Sequence, residues 1–81
     1  MIKLTEDEKV ILRNIDKKYK WIARDSTINL MVYVMRPKKG DFEWHAGSIF
    51  DYEVVIIFNH LFKFIKWEDK KPYRIKDLLK M

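Results

Sequence analysis

The 81-residue chain predicts a single α+β domain: an N-terminal helix, an antiparallel sheet of three or four strands, and a short C-terminal helix packed on one face. Three observations carry that expectation. Thr5 and Glu8 have capping-box spacing ahead of an apolar stripe. Between residues 19 and 58, short β-branched and aromatic runs alternate with turn-forming residues, as in hairpin-linked strands. Near the end, Pro72 precedes apolar residues at helical spacing. A chain this short cannot divide into two parts that each bury a core, so residues 1–81 form one domain.

Taken in order, Thr5-Glu6-Asp7-Glu8 caps a helix over 5–14, with acids at the positive end of its dipole and Val10, Ile11, Leu12 and Ile15 as its apolar stripe. Residues 19–25 read as a strand with Tyr19, Trp21 and Ala23 on one face and Lys20 and Arg24 on the other, and Ile22 interrupts the polar face. Asp25, Ser26 and Asn29 suit a hairpin loop over 26–29, Asn29 being the residue that tolerates left-handed geometry. Leu30 to Met35 is apolar on both faces, which predicts a central strand covered on two sides.

Arg36-Pro37-Lys38-Lys39-Gly40-Asp41 is a break, and Phe42-Glu43-Trp44-His45 alternates as a third strand. Residues 53–67 fit two descriptions. Val54 to Phe58 has strand composition, whereas Val54, Ile57, Phe58, Leu61, Phe62 and Ile65 also sit at helical spacing. The favoured description is a strand, a turn at Asn59-His60, and a second extended piece from Phe62 to Trp67. Lys71-Pro72 then opens the C-terminal helix, with Ile75, Leu78 and Leu79 buried and Lys76 and Lys80 toward its negative end.

Composition removes several chemistries. The chain has no cysteine, hence no disulfide, thiol nucleophile or cysteine-based zinc site. Its two glycines, Gly40 and Gly47, cannot write a P-loop or a dinucleotide fingerprint. His45 and His60 with Asp51 and Glu53 have no compact ligand spacing, so no metal or cofactor is expected. Ser26 and Thr27 beside Asp25 suit a turn better than a nucleophile, for no histidine is near in sequence. So small a domain also has little room to enclose a pocket of roughly 300–1,000 Å³. The expectation is a protein without enzymatic activity.

The net charge of +5 is laid out in blocks. Residues 17–39 carry seven basic groups against Asp25, residues 40–60 carry four acids and no Lys or Arg, and residues 61–81 carry seven basic groups against three acids. If the acidic middle lies between the basic flanks in a sheet, cross-strand pairing neutralises them. If it does not, a basic surface remains for phosphates or for an acidic partner. Lys18, Lys20 and Arg24, with Lys63, Lys66, Lys70 and Arg74, are the candidate contacts for nucleic acid or an acidic partner, and nucleic-acid binding through these flanks, with Trp21 and Trp67 as the accompanying rings, is the alternative function. The competing description buries both tryptophans and leaves the lysines solvated. A third possibility joins the acidic middle of one copy to a basic flank of another, giving a weak homo-oligomer.

The longest apolar run, Leu30 to Met35, is far short of the roughly 20 residues of a membrane-spanning helix. The start turns acidic where a secretory signal turns apolar, and Ile2 stands where myristoylation needs glycine. A soluble cytoplasmic protein with no membrane partner is the expectation.

Several segments together carry a resemblance: Leu4 to Asn14, Tyr19-Lys20-Trp21-Ile22-Ala23-Arg24-Asp25, Asn59-His60-Leu61-Phe62-Lys63-Phe64-Ile65-Lys66-Trp67-Glu68-Asp69, then Pro72-Tyr73 and Leu78-Leu79. They resemble a group of small uncharacterised phage and prophage proteins of Gram-positive bacteria, the streptococcal and lactococcal kind. The likeness lies at the two ends and leaves 26–58 unmatched. It implies origin, a prophage-encoded accessory protein made inside a bacterial cell; with the small size and the missing catalytic constellations, the expectation is a protein that acts by binding a host or phage protein. It carries no catalytic or binding residues. This chain departs from the pattern in Lys70-Lys71 and in the basic Tyr73-Arg74-Ile75-Lys76, where the group is acidic, so its basicity is its own.

Overall fold

The computed structural model describes residues 3–81; Met1 and Ile2, the position read for lipidation among them, lie outside the described residues. Thr5 caps helix α1 (Glu6–Asn14) through the reciprocal capping box. The Glu8 amide donates to Thr5 Oγ1 at 3.2 Å and the Thr5 amide to Glu8 Oε1 at 2.9 Å. Glu8, Leu12 and Ile15 lie on the side of α1 that faces the core, and Val10 is exposed instead.

Strands β1 (Trp21–Arg24) and β2 (Leu30–Tyr33) form an antiparallel hairpin with Ile22 opposite Val32. Its loop is built on Asp25, whose Oδ1 accepts from the Thr27 amide and hydroxyl and from the Asn29 amide. The left-handed residue there is Ile28, at φ 66°, and not Asn29. Strands β3 (Lys38–Lys39) and β4 (Trp44–His45) make a separate two-stranded ribbon, so the 36–41 break holds a strand and the 42–45 strand does not join the main sheet.

A single 3-10 turn over Ile49–Asp51 leads into β5 (Tyr52–Val54), and a second spans Ile56–Phe58. Residues 61–72 contain turns and no strand, which corrects the extended piece read over 62–67. Phe62 reverses the chain there, at φ 53°. Tyr73–Arg74 is an edge strand, β6, so Pro72 precedes a strand, and helix α2 (Ile75–Leu79) starts later than Pro72 implied. The main sheet has the order β5-β2-β1-β6, antiparallel throughout.

Both faces of that sheet are covered, which makes three layers. Ile22, Leu30 and Val32 pack with Leu12, Phe62, Ile65, Ile75 and Leu78 on the helical side. Ala23 and Tyr33 pack with Trp44 of the ribbon on the other, with Trp21, Met31 and Trp67 around them. The two apolar faces of β2 thus meet two different cores, as a central strand requires.

Arg24 is the residue whose placement departs furthest from its sequence pattern. It shares its face with Ile22 and is only 8% exposed. Its guanidinium donates to five backbone carbonyls: Nε to Ile65 at 2.7 Å, Nη1 to Ile28 at 2.8 Å and Asn59 at 3.1 Å, and Nη2 to Leu61 at 2.8 Å and Phe62 at 3.1 Å. Five fixed donors are what a planar guanidinium offers, and here all are used. The irregular segment after Asn59 is therefore wrapped around one cation, which supplies the partners its backbone lacks for want of a strand or helix.

Candidate functional site

The acidic middle is not sandwiched between the basic flanks. Its strand β5 is one edge of the sheet, the basic β6 is the other, and Arg74 lies opposite Trp21 and not an acid. Among the described residues the one ion pair is Arg13 with Glu6 at 4.0 Å, on the surface. Cross-strand neutralisation does not occur, and basic side chains other than the buried Arg24 and the engaged Lys39 stay on the surface.

Part of them converge. An open cleft of about 570 Å³ runs between the C-terminal end of α1, the start of β1 and α2. Leu12, Ile15, Tyr19, Ile75 and Leu79 make its apolar floor. Lys17, Lys20, Arg74, Lys76 and Lys80 stand around it. No carboxylate lines the cleft; Asp16, which precedes it, accepts from the Lys18 amide at 3.0 Å. Local rules account for the arrangement. Arg74 sits on edge strand β6, Lys76 and Lys80 are one helical turn apart, and the Ile75 amide donates to the Lys20 carbonyl at 3.0 Å, tying α2 to the start of β1. Low-dielectric walls beneath like charges concentrate their field, so this cleft attracts anions over more than contact distance.

Of the candidate contacts, Lys20 and Arg74 line the cleft. Lys18 is exposed beside it, its ammonium 5.1 Å from the Tyr19 ring. Lys63, Lys66 and Lys70 are exposed on the irregular segment and do not line it. Arg24 is interior and cannot meet a partner. Burial draws its guanidinium below the ordinary value, and the adjacent Asp25 carboxylate opposes that shift. Lys17, Lys76 and Lys80 were missed; the signal was the i, i+4 pair on α2, read only as helix-dipole compensation.

The tryptophans are not open stacking platforms. Trp21 is half-buried, with the guanidinium carbons of Arg36 and Arg74 at 5.2 and 5.5 Å from its ring centre. Trp44 and Trp67 meet edge to face at 6.4 Å, and the Lys39 ammonium lies 4.8 and 3.8 Å from their rings. That ammonium also donates to the carbonyls of Trp67 and, at 2.7 Å, Asp69. These rings already hold cations of their own chain.

Other constellations are structural. The Thr27 hydroxyl donates to Asp25 within the turn and the Ser26 hydroxyl to the Phe42 carbonyl, tying the hairpin to the ribbon. Among the described residues no group of three or more His, Asp or Glu could hold a metal ion, and no helix is long and apolar enough to cross a membrane. A separate apolar depression of about 350 Å³, lined by Val10, Ile11, Ile57, Phe58 and Leu61 with Asp7 and His60, lies on the other side of α1. Fold and cleft together define a small α+β domain with a basic, apolar-floored groove. No known family, curated protein or solved structure matches the chain.

Proposed function

We propose that the domain is a non-enzymatic binding module whose cleft takes an acidic, amphipathic segment of a partner protein. The observation that carries the reading is the pairing of five cations with an apolar floor and no lining carboxylate. An acidic peptide with one or two apolar anchors satisfies both parts: its anchors cover Leu12, Ile75 and Leu79, and its carboxylates meet the lysines and Arg74. Nucleic acid satisfies the charge only, because its phosphates leave the floor uncovered and the large rings nearby are occupied. The likeness to prophage proteins makes a bacterial host or phage protein the natural source of the segment.

The test is fluorescence anisotropy of a labelled acidic peptide carrying Leu and Phe anchors, beside the same peptide with Ser at the anchors and labelled single-stranded DNA. The reading expects the anchored peptide to bind at least tenfold tighter than the Ser version, and K76E/K80E to abolish binding. Equal affinity for both peptides, with DNA binding as tightly and weakening linearly in log salt, contradicts it and favours a nucleic-acid partner.

A further inference from the structure

The chain itself presents a segment of the required chemistry. At the tip of the β3–β4 ribbon stand Asp41, Phe42 and Glu43, all exposed, with Phe42 77% exposed. The tip is held rigidly. The Gly40 amide donates to the Glu43 carbonyl at 2.8 Å, and the Phe42 carbonyl accepts from the Ser26 amide at 3.2 Å and from the Ser26 hydroxyl. With its backbone held against the neighbouring hairpin, an aromatic residue flanked by two carboxylates is an anchor whose main chain has little left to order on binding.

We infer that the cleft of one copy receives the Asp41-Phe42-Glu43 tip of a second copy; this rests on the reading of the cleft as an acidic-peptide groove. Phe42 covers the apolar floor, and Asp41 and Glu43 lie among Lys20, Arg74, Lys76 and Lys80. One chain cannot fill its own cleft. Lys20 borders the cleft at the start of β1 and Ser26 holds the tip just beyond its end, roughly 15–20 Å away at the rise of a strand. Tip and cleft are different surfaces, so two copies exchange tips across a two-fold axis or the contact repeats head to tail, into a ring if the rotation closes and into a chain if it does not.

Sedimentation velocity over rising protein concentration, at 50 and 500 mM salt, tests the inference with two variants. F42A/E43K removes the tip and keeps the cleft; K76E/K80E removes the cleft and keeps the tip. All four positions are exposed, so both variants keep the core. The expected result is concentration-dependent assembly of the unaltered protein that weakens in high salt, monomers for each variant alone, and a two-chain complex when the variants are mixed. A dimer made by one surface meeting itself does not complement in this way. Assembly that persists in F42A/E43K overturns the inference, as does a protein that stays monomeric at millimolar concentration in low salt. If it stays monomeric while the anchored peptide still binds, only self-recognition falls; if the peptide fails as well, the cleft reading falls with it.

Discussion

The Arg24 guanidinium donates to the Ile65 carbonyl at 2.7 Å, bridging 41 residues of sequence from the end of β1 to the far side of an irregular loop. With four further carbonyls on the same group, it does for residues 59–65 what a strand ladder does elsewhere. Truncating it leaves buried acceptors without partners, each costing about 1–3 kcal/mol where water cannot replace the donor. R24A is expected to lose about 3 kcal/mol or more in urea unfolding. R24K keeps the charge but lacks the planar fork, and is expected to lose about 2 kcal/mol. An R24A midpoint equal to that of the unaltered protein contradicts this account.

Phe62 is held from both sides in its left-handed conformation. Its amide donates to Glu8 Oε2 and its carbonyl accepts from Arg24. Glu8 therefore caps α1 with one oxygen and fixes the loop with the other. E8A is expected to cost about 2 kcal/mol, more than the ~1 kcal/mol typical of a lost cap. Amide exchange at Phe62 is the local check: it should speed up in E8A and stay slow in T5A, which removes only the cap.

Ile28 is a β-branched residue at φ 66° and 66% exposed, so it has the strain of left-handed geometry without the return of burial. I28N is expected to raise stability by about 0.5–1 kcal/mol, seen as a higher thermal midpoint. A lower midpoint means the side chain contributes packing that its exposure does not show.

Gly40 leaves space that a side chain cannot share. A Cβ there collides with His45 Nε2 and meets the Glu43 carbonyl at 2.6 Å, the second being backbone of the ribbon tip. G40A is expected to cost about 1–3 kcal/mol, the usual range for overpacking, and to loosen the tip that carries Phe42.

Two tyrosines make the domain sensitive to alkali. Burial raises Tyr33 well above its ordinary value, with Asp25, Glu43 and Tyr52 adding to the shift. Burial and the neighbouring Asp69 carboxylate raise Tyr73 in the same direction. In each case the folded state prefers the neutral phenol and the unfolded chain ionises first. Stability from this source is complete below about pH 10 and is lost as pH rises beyond it. Y33F is expected to flatten that loss between pH 9 and 12, measured by urea midpoints.

What the sequence made legible was local. The capping box spans four residues, the Asp25 loop five, and the doubly apolar Leu30 to Tyr33 needs only its own composition to read as central. Arg24 was illegible because a cation alternating with apolar residues looks solvent-facing, and its partners lie 35 to 41 residues away apart from Ile28. Phe62 gave no sign of a left-handed turn, since neither glycine nor asparagine stands there. Strand β6 escaped because two residues carry no periodicity and Pro72 mimics a helix start. The cleft was half legible: Lys20 and Arg74 stood out as basic neighbours of Trp21 and of the chain end, but only the packing of α2 beside α1 brings Lys76 and Lys80 to them.

The most direct test of the central claim is to map the contact by amide chemical shifts in the 15N-labelled protein as the anchored acidic peptide is added. The account predicts shifts concentrated at Leu12 to Lys20 and at Arg74 to Lys80, with Lys63, Lys66 and Lys70 unmoved. Shifts confined to Lys63–Lys70, or to the Val10 and Ile57 depression across α1, would contradict it.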